Sequence, residues 1–138
     1  MKKPLKIGLD IHGVIDTFPL KFKLLSAALV NDGCEVHIVT GLRREASIDQ
    51  LLLDAGIQFT HYFSIVTHLE DQGLVVDWRE GLPYADEEKW NLAKSEYCTA
   101  QNIDFMFDDS PTYLGTFSEI DTTYLHVINP DRKVYVTR

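Results

Sequence analysis

The chain has 138 residues, 45% of them hydrophobic, and its 21 acidic against 13 basic residues give a formal net charge of −8. That length suits one compact domain around a single core. So strong an acidic balance excludes a surface that tracks nucleic-acid phosphates or an anionic bilayer, since both need clustered Lys and Arg.

The N-terminal segment MKKPLKIGLD holds no apolar stretch followed by a small-residue cleavage site, and nothing approaches the roughly 20 apolar residues of a membrane span. A cytoplasmic protein is the expectation. Lys6 to Ile11 reads as a first strand between Pro4 and Gly13. Leu20, Leu24, Leu25, Ala28 and Leu29 recur at helical spacing, and Asn31-Asp32-Gly33 ends that helix. Val36 to Val39 is a brief strand that runs into Thr40-Gly41. Ile48, Leu51, Leu52 and Ala55 then mark a second helix, closed by Gly56. Short apolar strands alternating with amphipathic helices predict a parallel sheet.

Phe59 to Val66 is the third predicted strand, and Glu70 to Gly73, between the runs SIVTHL and LVV, predicts a hairpin or small flap. Trp78 to Pro83 reads as irregular. The next helix ends near Gln101 and starts at Asp86 or at Asn91, both acceptable N-caps. Ile103 to Phe107 is a fourth strand, Ser110-Pro111 a helix start, and Thr123 to Ile128 a fifth strand, with a short tail after Pro130. Cys34 and Cys98 are too few for a disulfide framework and read as buried or half-buried free thiols. His37, His61, His68 and His126 show no metal-ligand spacing and are expected at surfaces or strand faces.

Asp10 closes the run KIGLD, and Asp108 with Asp109 closes IDFMFDD. If the two runs are neighbouring parallel strands, three carboxylates meet at the carboxyl edge of the sheet, where open α/β sheets bind ligands. Their mutual repulsion calls for a hard divalent cation, Mg²⁺ above others, and so for phosphoryl chemistry.

In order, Asp10-x-His12-Gly13-Val14-Ile15, Thr40-Gly41, a lysine near the start of the helix before strand four, and Asp108-Asp109 resemble the four motifs of the haloacid dehalogenase-like hydrolase superfamily. The resemblance implies a Rossmann-like three-layer α/β sandwich with a mainly parallel five-stranded sheet in the order 5-4-1-2-3. It also implies Mg²⁺ dependence and phosphomonoester hydrolysis through an aspartyl-phosphate on Asp10. Asp10, the main-chain carbonyl of His12 and Asp108 would hold the metal. Asp109 would be a further ligand or orient a water; the rival is a plain cap, because Ser110-Pro111 follows. The Thr40 hydroxyl and Gly41 N–H would bind phosphoryl oxygens. The charge-neutralising lysine is Lys89 if Asp86 caps the helix and Lys94 if Asn91 does; Lys94 is favoured, because an Asn91 cap sets it near the sheet's carboxyl edge. Arg43 and Arg44 could reach an anionic substrate.

The family's usual second aspartate is His12 here. An imidazole can serve as acid and base, but the change leaves two alternatives: a catalytically weak phosphate- or metal-binding module, or another reaction of the superfamily. The short Asp10–Thr40 interval and the Thr67–Pro83 region leave room for a small flap and no large cap. An open site suits a large phosphorylated substrate or a cap supplied by another subunit. A response-regulator receiver also clusters acidic residues at strand ends, but its acidic pair comes early in the chain, whereas Asp108-Asp109 comes late.

Overall fold

The computed structural model describes residues 3–128; the predicted tail after Pro130 lies outside them. In chain order the elements are β1 (Lys6–Leu9), α1 (Pro19–Asn31), β2 (Glu35–Thr40), α2 (Ala46–Asp54), β3 (His61–Ser64), α3 (Ile65–Asp71), β4 (Asp77–Arg79), β5 (Leu82–Tyr84), α4 (Glu87–Gln101), β6 (Phe105–Asp108), α5 (Leu114–Phe117) and β7 (Thr123–His126). Five strands form one parallel sheet in the order β3-β2-β1-β6-β7, the predicted order.

Strand alternation explains how helices cover both faces. Ile7, Leu9, Val36 and Ile38 point to one face and pack with Phe22 of α1 and Ile48 and Leu52 of α2. Val39 and Met106 point to the other, where Cys98 of α4 and Phe117 of α5 join them. Gly8 faces that second layer, and a Cβ there would come within 2.6 Å of the Met106 sulfur. Both cysteines are buried free thiols. No helix among the described residues is long and apolar enough to cross a membrane.

Several boundaries differ from expectation: β2 gains a residue at each end, β6 runs Phe105–Asp108 and not Ile103–Phe107, and β7 ends at His126 and not Ile128. β1 ends at Leu9, not Ile11, because the Asp10 side chain accepts from the Ile11 N–H and turns the chain into a wide helical turn over Ile11–Ile15. β3 spans only His61–Ser64. The Ser64 hydroxyl accepts from the Thr67 N–H and starts α3, so the residues predicted as strand end and hairpin are a helix whose C-terminus is Glu70 to Gly73. The hairpin lies later, in the stretch read as irregular: β4 and β5 pair antiparallel around Glu80 and Gly81, both at positive φ, as a tight primed turn requires. Finally, α4 starts at Asp86, whose carboxylate accepts from the Lys89 N–H at 2.9 Å, and Asn91 sits inside the helix.

Candidate active site

β1 and β6 are neighbours in the sheet, with Leu9 opposite Phe107, so Asp10 and Asp108 emerge side by side at the carboxyl edge. Carboxylate oxygens of Asp10, Asp108 and Asp109 lie within 4.8 Å of one another. Asp108 is fully buried and accepts from the Ser110 N–H at 3.0 Å. Asp109 is buried as well, and its carboxylate lies where a Cβ on Gly13 would stand. Gly13 also adopts φ +85°, so backbone conformation and the Asp109 contact both demand glycine there. Ser110, not Asp109, caps the turn that follows, accepting from the Thr112 N–H.

Lys94 bridges the carboxylates. Its ammonium donates to Asp108 at 2.6 Å and stands 3.4 Å from Asp10 Oδ1, with only 2% of the residue exposed. Of the two lysines, Lys94 is the one the structure sets beside the carboxylates, though not through the expected Asn91 cap. With Asp86 as cap, Lys94 lies in the second turn of α4 and reaches the edge along its own stem, while Lys89 stands exposed in the first turn. Tyr113 lies under the ammonium, 4.9 Å from ring centre to Nζ, and its hydroxyl accepts from the Trp90 indole at 3.1 Å. Neither aromatic carries a local sequence signal, because only the fold sets α4 against the turn after β6.

Burial pushes the Asp10 carboxyl up to about 7; Lys94 pulls it down, while Asp108 and Asp109 push it further up. Burial alone would lower the pKa of Lys94, but Asp10 and Asp108 outweigh it and hold the ammonium charged. With Asp10 ionised, three carboxylates and one ammonium leave a deficit of two positive charges in an all-oxygen cluster. That donor set and charge fit a hard divalent ion.

Thr40 is buried at the end of β2, and the Leu42 N–H lies 3.4 Å from its hydroxyl oxygen. Gly41 has no room for a side chain, since a Cβ would come within 2.9 Å of the Trp90 ring. Its carbonyl accepts from the Val66 N–H at 3.2 Å, which ties this loop to α3. The register Leu9 opposite Ile38 sets Thr40 and Asp10 at the same edge of adjacent strands.

His12 is 56% exposed at its side chain, with Nδ1 2.8 Å from Asp16 Oδ2. The other Asp16 oxygen accepts from the Gly13 N–H at 2.8 Å. Burial would raise the Asp16 carboxyl, but the hydrogen bonds from His12 and Gly13 hold it below its ordinary value. Asp16 was not foreseen; its signal was the four-residue spacing from His12. Arg43 and Arg44, read as able to reach an anionic substrate, each have a carboxylate partner: Arg43 pairs with Glu70 and lies over the Trp78 ring, and Arg44 pairs with Asp49 at 2.9 Å.

No protein-family model matches the sequence, and no curated protein is similar to it. Among solved structures, the chain is similar to an uncharacterized protein from Corynebacterium glutamicum ATCC 13032 Kitasato, with a TM-score of 0.54 at 16% identity over 98% of this chain and 93% of that one. That likeness concerns the fold.

Proposed function

We propose that this chain is a Mg²⁺-dependent phosphohydrolase of the haloacid dehalogenase-like kind, acting on phosphomonoesters through an aspartyl-phosphate on Asp10. The observation that carries the proposal is the cluster itself: Asp10, Asp108 and Asp109 within 4.8 Å of one another at two adjacent strand ends, with the buried Lys94 between them. A structural cluster would gain nothing from three desolvated carboxylates, which cost stability unless they are compensated.

Asp10, Asp108, the His12 carbonyl and Asp109 would hold Mg²⁺, which when bound neutralises phosphoryl oxygens and orients the phosphate. The Ile11 N–H and Lys94 both hold Asp10 Oδ1, so Oδ2 is the oxygen that attacks phosphorus. As the Oδ2–P bond forms, the ester P–O bond breaks, and the departing alkoxide takes a proton from His12. Neutral His12 then removes a proton from the water that attacks phosphorus, the Asp10–P bond breaks, and inorganic phosphate leaves. Asp16 binds Nδ1, which leaves Nε2 for both transfers. The Thr40 hydroxyl and Gly41 N–H would hold phosphoryl oxygens. The β4–β5 hairpin between α3 and α4 serves as the small flap, leaving the site open to a sizeable ester.

A binding module is the second reading, favoured by the exposure of His12 at the place where a buried carboxylate would make the more secure proton shuttle. Turnover of p-nitrophenyl phosphate and a panel of phosphate esters, with Mg²⁺ or with EDTA, separates the two. Mg²⁺-dependent turnover that is lost in Asp10→Asn is expected. Binding of BeF₃⁻ without turnover of any ester would decide for the module.

A further inference from the structure

Glu35, His37 and His61 make a second polar cluster at the amino edge of the sheet, opposite the edge that bears Asp10. Glu35 and His37 are two residues apart on β2 and share a face, and the register His37 opposite His61 sets the third member beside them on β3. One carboxylate oxygen and one nitrogen of each imidazole lie within 4.8 Å of one another.

His37 is fully buried, at a position where an aliphatic residue would avoid the cost of desolvating a ring with two polar nitrogens. Both nitrogens are committed: Nδ1 lies 2.6 Å from the Tyr97 hydroxyl of α4, and Nε2 lies 2.8 Å from Glu35 Oε1. His61 stacks on His37 with ring centres 4.1 Å apart and planes within 7°. Its Nδ1 is 2.8 Å from the Thr60 hydroxyl and 3.8 Å from Glu35 Oε1.

We propose that Glu35, His37 and His61 form a second cation site, separate from the aspartate cluster, that takes a borderline first-row ion of the Zn²⁺ class. Two imidazoles and one carboxylate are a Zn²⁺ donor set, and imidazole selects against the hard ions that suit an all-oxygen cluster. Tyr97 serves as the outer partner that metal-ligating histidines have: its hydroxyl can accept from Nδ1–H, which frees the Nε2 lone pair toward Glu35 without loss of a proton. Lys6 faces the same carboxylate, 3.8 Å from Oε2, and leaves Oε1 to the cation.

Each ring must contain the ion in its own plane, so two parallel stacked rings cannot share one ion as they stand. His61 turns on binding, which its 47% exposure permits, while Glu35 and His37 are already oriented. The ion then ties β2 to the edge strand β3.

The test titrates the full chain with Zn²⁺ by calorimetry in millimolar Mg²⁺, with Co²⁺ substitution to report the ligand field in the visible spectrum. The variants His61→Ala and Glu35→Gln sit at partly exposed positions, and circular dichroism checks that each is folded. The expected result is one Zn²⁺ per chain in the wild type, with affinity reduced about 10–100-fold in each variant, and a Co²⁺ band of four-coordinate N/O type that both variants lose. Absence of saturable Zn²⁺ binding in Mg²⁺, or equal affinity in wild type and both variants, overturns the site. Phosphate-ester turnover does not enter either outcome, so the inference stands or falls apart from the proposed function.

Discussion

Replacing Lys94 by methionine keeps the apolar stem and removes the only positive charge that the described structure sets against both Asp10 and Asp108. Removing one partner of a buried ion pair costs about 3–5 kcal/mol, because the other charge stays desolvated. The cost depends on pH, and the sign follows from Asp10. Its carboxyl goes from 3.8 to about 7 on folding, so its contribution is fully present below the unfolded value and is lost as pH rises through about 7. At about 1.4 kcal/mol per unit, that displacement opposes the charged form by about 4 kcal/mol. Without Lys94 the carboxyl moves higher still, so the variant recovers part of its loss on acidification by binding a proton at Asp10. Urea unfolding of both proteins at pH 8 and pH 5.5, without divalent ions, measures this directly. A loss of about 3–5 kcal/mol is expected at pH 8, with a clearly smaller loss at pH 5.5. Added Mg²⁺ should stabilise the variant more than the wild type, because its cluster is more negative by one charge. A loss under about 1 kcal/mol at pH 8, the size of an exposed pair, would refute the argument that this pair is desolvated.

Asp10→Asn should abolish turnover yet raise the cation-free melting temperature at pH 8, since it removes a charge that the fold disfavours; a lower melting temperature there would show that Lys94 overcompensates the cluster. Gly13→Ala should destabilise by about 1–2 kcal/mol or more, the cost of a left-handed non-glycine residue, and weaken Mg²⁺-induced thermal stabilisation by displacing Asp109; an unchanged response would separate Asp109 from cation binding. His12→Ala should cost roughly 10²–10⁴-fold in ester hydrolysis, and less with an acidic leaving group such as p-nitrophenol. His12→Asp should retain or increase the rate. A uniform rate across leaving groups in His12→Ala would leave His12 with only its backbone carbonyl in the site.

A parallel sheet of alternating strands and helices was legible in the sequence, because short apolar runs alternate with segments of helical periodicity; the order of the strands, which sets Asp10 beside Asp108, was what the resemblance implied, since local pattern does not say which strands pair. Local spacing could not decide SIVTHL: one apolar run suits a buried strand and a short helix equally, and the Ser64 cap together with burial of Ile65 and Leu69 beside Ala93 of α4 decided for helix. The same holds for the start of α4. Asp86 and Asn91 are both competent caps, and the choice fell to Asp86 because Trp90 then packs on Gly41 and hydrogen-bonds Tyr113 from within the helix. Arg43 and Arg44 follow Thr40-Gly41 in the chain, but only the fold shows that Glu70 and Asp49 pair with them. Periodicity along the chain reports which face a residue takes within its own element. Which residues meet across elements depends on strand register and helix packing, and so only the tertiary structure brought His61 to Glu35 and His37, set Lys94 between two aspartates, and made their charges felt in one another's ionisation.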